Sequence, residues 1–345
     1  MQCQLCDREA EISKALPYCP KCIRDKFQEI QSDIMRIHAL TRKPHALPER
    51  IPDSELGVKC SFCINRCRIA EGDFGYCGVR QNLDGIIVGP DKHWAYVDWY
   101  HDPLPTNCVA DWVCKGSKDH GQTNLAVFYE ACTFNCLFCQ NWHYRDRKNK
   151  ASTEELVRAA DASTGCICYF GGDPTPFALH SMEVAELLQE RKRNFRTCWE
   201  TNGSVAPKYM KRWIDYALVS DGCIKIDFKT FSENLNIALC GTSNRNTKMN
   251  IKLVAESMKK RVTPPILVVS TLLIPGYLDK QELEYMASFI SSIDKDIPWS
   301  FLGFYPHFHF NDMPCTSREQ AEMALNIAEE HGIKNTHLGN IHLLR

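Results

Sequence analysis

Leu125-Ala126-Val127-Phe128-Tyr129-Glu130-Ala131-Cys132-Thr133-Phe134-Asn135-Cys136-Leu137-Phe138-Cys139-Gln140-Asn141-Trp142 is the stretch from which the rest of the chain is read. Its first residues, Leu125–Tyr129, form a short apolar run of β-forming character, the pattern of a strand buried on both faces. Three cysteines follow at once, at C-x3-C-x2-C spacing. From Asn124 onward such runs recur, at Cys166–Phe170, Phe195–Trp199, Cys223–Phe228, Ile266–Leu273 and Trp299–Phe304. Amphipathic stretches alternate with them, at Thr153–Ala162, His180–Lys192, Pro207–Ala217, Thr247–Lys260, Lys280–Ile293 and Ser317–His331. A seventh short strand is expected at Asn335–Leu338. Successive βα units predict an α/β fold with a parallel sheet covered on both faces, doubly wound or curled into a partial barrel. Folds of this kind place their sites at the carboxyl ends of strands, where the cysteine loop falls.

Three thiolates on one short loop wrap an iron–sulfur cube and leave one iron without a protein ligand, open to a small molecule. A structural zinc loop also uses thiolates, so the three ligands alone leave both readings standing. The 345 residues contain 19 cysteines. With no export signal at the N-terminus, a reduced, cytoplasmic protein with two or more metal centres is expected rather than a disulfide scaffold. Lys+Arg is 41 and Asp+Glu is 42, a net charge of −1. That balance argues against a nucleic-acid or membrane-surface binder. The charge runs Arg145–Lys150 and Arg191–Arg196 read as solvated faces or helix ends, or as a dock for an acidic partner.

Upstream of the alternating region the chain divides into residues 1–50, a Cys-rich segment, and 51–120, rich in Cys and Gly. The expected barrel region is 121–345. Cys3-x2-Cys6 and Cys19-x2-Cys22 have near zinc-ribbon spacing, and zinc is the first expectation there. A helix is expected at Arg24–Leu40. Cys60-x2-Cys63-x3-Cys67-x9-Cys77 forms a second set, for which zinc and an auxiliary iron–sulfur cluster both stand. Loops and short hairpins are expected from Cys60 to Asp119. Cys108 and Cys114 read as free thiols or added ligands, and Cys166, Cys168, Cys198 and Cys223 as core residues of strands.

The C-x3-C-x2-C loop, with an aromatic before its last cysteine, resembles the cluster-binding motif of the radical S-adenosylmethionine (radical SAM) enzymes. Gly171-Gly172-Asp173-Pro174-Thr175-Pro176 resembles the family's GGEP segment, with Asp in place of Glu. Glu200-Thr201-Asn202-Gly203 is similar to the D-T-N-G segment of glycyl-radical-enzyme activases, and Asp227-Phe228-Lys229 to their D-x-K. Ile274-Pro275-Gly276-Tyr277 and Phe304-Tyr305-Pro306-His307 follow at later strand ends. The Cys60–Arg80 segment resembles the activase-like AmmeMemoRadiSam branch, as does Gly332–Asn340. The resemblance covers about Asn124 to Gly339 and implies a partial (βα)6 TIM-type barrel with a Cys-rich N-terminal extension.

It further implies a [4Fe–4S] cluster on Cys132, Cys136 and Cys139. S-adenosyl-L-methionine would be bound by Gly171, Gly172, Asp173, Glu200, Asn202, Asp227, Lys229 and His307. Reductive cleavage of SAM would give a 5′-deoxyadenosyl radical that abstracts hydrogen from a protein or peptide, as glycyl-radical activases do. The implied electron donor is a flavodoxin- or ferredoxin-type protein under anaerobic conditions. A radical C-methyltransferase is the rival within the family, although Asp91-Lys92-His93 is followed by Trp94-Ala95-Tyr96 and not by a cobalamin D-x-H-x-x-G motif. A non-catalytic Cys-rich zinc protein that binds a partner is the rival from another class.

Overall fold

A computed structural model describes residues 1–106, 108–146, 148–191 and 195–345. The chain opens with α1 (Pro20–Asp25), which has proline in its first turn, and α2 (Phe27–Arg42). The single expected helix is therefore two, broken at Lys26. Phe27, Ile30, Ile34, His38 and Thr41 recur at spacings of three and four and form the buried face of α2. β1 (Val58–Lys59) pairs with β2 (Arg68–Ile69), and β3 (Gln81–Leu83) with β4 (Ile86–Val88), both antiparallel. Asp84 and Gly85 close the second pair with φ of 53° and 75°, the left-handed turn that an Asp-Gly dipeptide favours.

β5 (Trp94–Pro103) is a correction to the sequence reading, which expected only loops and short hairpins between Cys60 and Asp119. Ala95 and Val97 face the core, but Trp94 and Tyr96 on the other face are also large and largely apolar. The alternation that marks a half-buried strand is lost in that composition. β6 (Thr123–Tyr129) pairs with β5, which in turn pairs with β7 (Lys150–Ser152). Then come α3 (Thr153–Ala159), β8 (Thr164–Gly171), α4 (Ala178–Glu190), β9 (Arg196–Thr201), α5 (Pro207–Val219) and β10 (Ile224–Asp227). The chain continues through α6 (Glu233–Cys240), α7 (Arg245–Ala255), β11 (Leu267–Leu273), α8 (Lys280–Ile293), β12 (Trp299–Gly303), α9 (Arg318–Glu330) and β13 (Thr336–Gly339). α6 was not expected. α7 is shorter than Thr247–Lys260 because the chain tightens into a 3-10 turn at Met258–Lys260. Lys192, the end expected for the second helix, lies outside the described residues.

Nine of the thirteen strands among the described residues form one sheet in the order β13-β12-β11-β10-β9-β8-β6-β5-β7. Every pairing from β6 to β13 is parallel, and β5 and β7 add an antiparallel edge. The fold is α/β, a partial barrel with a Cys-rich N-terminal extension. Ile12, Leu16, Ile23, Ile30 and Ile34 of that extension share one apolar core with the barrel. Arg24 fastens it further, with a bidentate pair to Asp279 at 2.9 and 2.6 Å. Among the described residues no helix is long and apolar enough to cross a membrane.

Candidate active site

The carboxyl ends of the parallel strands ring a cavity with about 940 Å³ of empty space. Cys132, Cys136 and Cys139 line it together with Gly171, Gly172, Asp173, Glu200, Asn202, Asp227 and Lys229. They come from four strand ends, those of β6, β8, β9 and β10, and the barrel brings them to one place. His307 does not line the cavity. It precedes a 3-10 turn, Phe308–Phe310, whose His309 N–H donates to Leu137 O at 3.0 Å and so braces the cysteine loop from outside.

That loop is held at several points. Asn135 N–H donates to Cys240 O at 2.8 Å and Leu137 N–H to Leu239 O at 3.0 Å, tying it to the end of α6. The buried Asn135 amide donates to Thr41 Oγ1 at 2.8 Å and to His38 Nδ1 at 2.9 Å, both on α2. His38 Nε2 in turn lies 3.0 Å from the carbonyls of Ile237 and Ala238. Burial pushes His38 down to about 4, so the neutral ring, with its proton on Nε2, is the form that fits. Burial also raises the Cys132 thiol well above its ordinary value, while Cys136 is raised first by its hydrogen bond to Cys240 and then by burial. Thiols held neutral in this way become ligands when a metal takes the place of the proton. Arg145, only 3% exposed, sits against the loop and donates to Asn135 Oδ1 at 3.3 Å. Its positive charge favours the thiolates of Cys132 and Cys139. Arg145 is thus not the solvated charge its run suggested, and Arg147 of that run lies outside the described residues.

Gly171 and Gly172 line the cavity and also serve a second, structural purpose. A Cβ on Gly171 would lie 2.5 Å from Tyr129 N, and one on Gly172 would lie 2.3 Å from Ala131 O. The close approach is to the backbone leading into the cysteine loop. Asp173, 3% exposed, accepts from Thr175 N at 2.8 Å, Asn202 N at 2.7 Å and Thr201 Oγ1 at 3.1 Å. Burial still lifts its carboxyl to about 6. Its bonds position the Glu200–Gly203 turn. Asn202 in turn donates to Thr133 Oγ1 at 3.0 Å and lies 3.6 Å from Cys132 Sγ. Lys229 pairs with Asp227 at 2.7 Å, and Ser270 Oγ donates to Asp227 at 2.5 Å. Glu200 Oε2 lies 3.1 Å from Lys225 Nζ. A soft three-thiolate triad beside paired carboxylates and cations fits an iron–sulfur cube with a zwitterionic ligand.

Residues 126–290 match the Radical SAM superfamily. The chain carries a radical SAM domain. An uncharacterized protein of Methanocaldococcus jannaschii is 26% identical over 313 residues, covering 85% of this chain and 84% of the relative. Pyruvate formate-lyase 1-activating enzyme of Escherichia coli is 22% identical over 242 residues, 64% of this chain and 94% of that enzyme. A solved domain of a pyruvate formate-lyase-activating enzyme from Bacteroides vulgatus superposes with a TM-score of 0.42 at 19% identity, over 51% of this chain and 99% of that domain. Radical SAM membership supports an enzyme, with an iron–sulfur cluster and SAM as its cofactors.

The two N-terminal cysteine sets differ in spread. The sulfurs of Cys3, Cys6, Cys19 and Cys22 all lie within 4.8 Å of one another. Zn–S bonds of about 2.3 Å put tetrahedral sulfurs about 3.8 Å apart, and Cys6 and Cys19 are 3.9 Å apart. Cys60, Cys63 and Cys67 are raised by burial and further by one another and by Cys77, so these four are electrostatic neighbours. They do not converge as tightly as the first set. Their loop abuts the site: Asn65 Nδ2 donates to Thr133 O at 2.8 Å, and Ile64 N–H to Ser204 O at 3.0 Å. The Ile274–Tyr277 segment serves the extension. Tyr277 OH accepts from Ser13 N–H at 3.0 Å and donates to Leu16 O at 2.5 Å, and Gly276 has Glu11 O where a Cβ would be.

Sequence reasoning missed His38, Asn135, Arg145 and Cys240. Only Asn135 carried a local signal, an amide inside the metal loop.

Proposed function

We propose that this radical SAM domain binds a [4Fe–4S] cluster through Cys132, Cys136 and Cys139 and acts on a protein or peptide, in the manner of glycyl-radical activation. The bound cluster and SAM would supply a 5′-deoxyadenosyl radical by one-electron cleavage of the sulfonium. The chain's own residues have other work. Asp227 and Lys229 offer one anionic and one cationic partner for a ligand carrying both charges. Asp173 and Asn202 fix the Glu200 turn, and Arg145 stabilises thiolates from behind. The observation that carries the reading is the convergence of three thiolates with the GGD, ETN and DxK segments on one cavity. The likeness to a pyruvate formate-lyase-activating enzyme supports a protein substrate, and a flavodoxin- or ferredoxin-type reductant belongs to the same proposal. In the same reading Cys3, Cys6, Cys19 and Cys22 hold structural zinc, and Cys60, Cys63, Cys67 and Cys77 a zinc ion or auxiliary cluster.

Anaerobic reconstitution with iron and sulfide, followed by SAM and reductant, tests this. Four or more irons per chain and 5′-deoxyadenosine as product are expected, with Cys136→Ala abolishing the product while the barrel stays folded. A preparation that takes up zinc alone at every site, or a Cys136→Ala variant cleaving SAM at the wild-type rate, overturns the reading.

A further inference from the structure

Beneath the cavity just described the barrel is hollow a second time, with about 1030 Å³ of empty space. This lower chamber lies towards the amino ends of the same strands. Its wall includes Cys108, Cys114, Cys166, Cys168, Cys198 and Cys223. Cys166 and Cys168 are alternate residues of β8; Arg196, Cys198 and Glu200 alternate along β9; Cys223, Lys225 and Asp227 alternate into and along β10. Those are the inward-facing positions of a barrel, which a packed interior fills with bulky branched side chains. Here thiols and cations take their place.

Cys108 and Cys114 come from the segment that covers the lower mouth. That cover is fastened by Ser300 Oγ donating to Val109 O at 2.7 Å and by Lys115 paired with Asp221 at 2.8 Å. All six cysteines are free.

Two buried cations, Lys225 and Arg196, share the chamber wall with the carboxylates of Asp102, Asp111, Glu200 and Asp221. Lys225 is 1% exposed, and its ammonium lies 2.9 Å from Cys168 Sγ, 3.1 Å from Cys108 Sγ and 3.1 Å from Glu200 Oε2. Arg196, 8% exposed, pairs with Asp119 at 2.6 Å but leaves Nη2 buried without a partner. Burying two cations is costly unless negative charge and acceptors meet them. Each has a carboxylate partner, Glu200 or Asp119, and the other acceptors of Lys225 are the sulfurs of Cys108 and Cys168, which accept more strongly as metal-bound thiolates than as thiols. The spread of the sulfurs selects the metal. Cys198 and Cys223 are 3.8 Å apart, yet no third sulfur of the chamber joins them within the span that gathers the N-terminal set. One tetrahedral ion needs all its sulfurs about 3.8 Å apart. Cys108 and Cys168 both lie within 3.1 Å of Lys225 Nζ, so the four sulfurs fall into two pairs, which suits a cluster of two irons with two thiolates on each.

We propose that the lower chamber holds a second iron–sulfur cluster, ligated by thiolates from Cys108, Cys168, Cys198 and Cys223. Lys225 donates hydrogen bonds to its sulfurs, the kind of contact that sets a cluster's reduction potential. Glu200 and Phe170 line both cavities, so the second cluster lies on the barrel axis under the first. The inference stands apart from SAM cleavage: it concerns metal held by cysteines outside the C-x3-C-x2-C loop.

Iron, sulfide and zinc are counted per chain after anaerobic reconstitution with ferrous iron and sulfide, in the wild type and in Cys168→Ala/Cys198→Ala. A loss of about two irons and two sulfides is expected, with the reduced first cluster keeping its SAM-perturbed electron paramagnetic resonance signal. Cys108→Ala/Cys114→Ala removes the ligand Cys108 and its neighbour on the covering segment without touching a strand, and should show the same loss if the strand variant does not fold. In a Cys132→Ser/Cys136→Ser/Cys139→Ser background, a reduced cluster signal should persist and disappear when Cys168→Ala is added. Unchanged iron in the folded variants, or loss of zinc in place of iron, overturns the proposal. Failure of SAM cleavage alone leaves this count intact and bears only on the reading of the upper site.

Discussion

Gly172→Ala tests whether the GGD segment works by gripping the cysteine loop. The new Cβ would lie 2.3 Å from Ala131 O and 2.8 Å from Ala131 C, against a normal limit of 3.0 to 3.4 Å. Backbone must therefore move by roughly 1 Å, and the displaced residue adjoins Cys132. Two bonds cross this contact, Gly172 N–H to Tyr129 O at 2.7 Å and Asp173 N–H to Ala131 O at 2.8 Å. Overpacking costs about 1–3 kcal/mol, and weakening two buried hydrogen bonds adds about 0.5–1.5 kcal/mol each. The loss of stability is then about 2–6 kcal/mol. Misplacing a reacting centre by this distance costs about 10²-fold in rate. Gly121→Ala is the control: its φ is +86°, but no heavy atom lies within 4 Å of the added Cβ. It should cost about 1–2 kcal/mol of backbone strain and leave the site unchanged. Iron content, melting temperature and the rate of 5′-deoxyadenosine formation are measured after anaerobic reconstitution. A Gly172→Ala protein with wild-type iron content and rate would refute the reasoning.

Cys6→Ser should abolish binding of one zinc per chain and loosen the N-terminal extension, with barrel iron retained; zinc analysis and limited proteolysis check this, and unchanged zinc would count against the site. Cys67→Ser should lower metal content without eliminating SAM binding at the upper cavity. Elemental analysis then distinguishes a lost zinc from about four lost irons, and no loss would remove these four cysteines from the list of sites. His38 has its folded value, about 4, below its ordinary 6.5. Its contribution to stability is therefore complete above pH 6.5 and is lost as the pH falls towards 4. The loss reaches about 2.5 kcal/mol by pH 4.5. Denaturant titrations at pH 7.5 and 4.5 should show it, and His38→Gln should flatten the difference; equal pH slopes in both proteins would contradict the neutral-histidine clamp.

What the sequence reveals and what it hides divide along the range of the interactions. Strand ends were legible because each motif is local: the C-x3-C-x2-C loop, GGD, ETN and DxK each announce themselves within a few residues. Their common meeting point follows once parallel order is inferred. The supports are long-range. Asn135 meets His38 across 97 positions and Asn65 meets Thr133 across 68. No local spacing encodes such pairs. The lower chamber was hidden for a different reason. Cys-x-Cys on β8, Arg-x-Cys-x-Glu on β9 and Cys-x-Lys-x-Asp through β10 are visible as alternation, yet a buried parallel strand is expected to be apolar on both faces, so its cysteines pass for core. Arg196 breaks that reading, and so does Lys225, since an ammonium does not enter a core without partners. Its partners include Glu200, which also faces the upper cavity. A substitution at Glu200 therefore removes a wall residue of the upper site and a counter-charge of the lower one together. Its effect on SAM binding is separable only by comparison with Lys225→Met, which perturbs the lower chamber and leaves the upper lining in place.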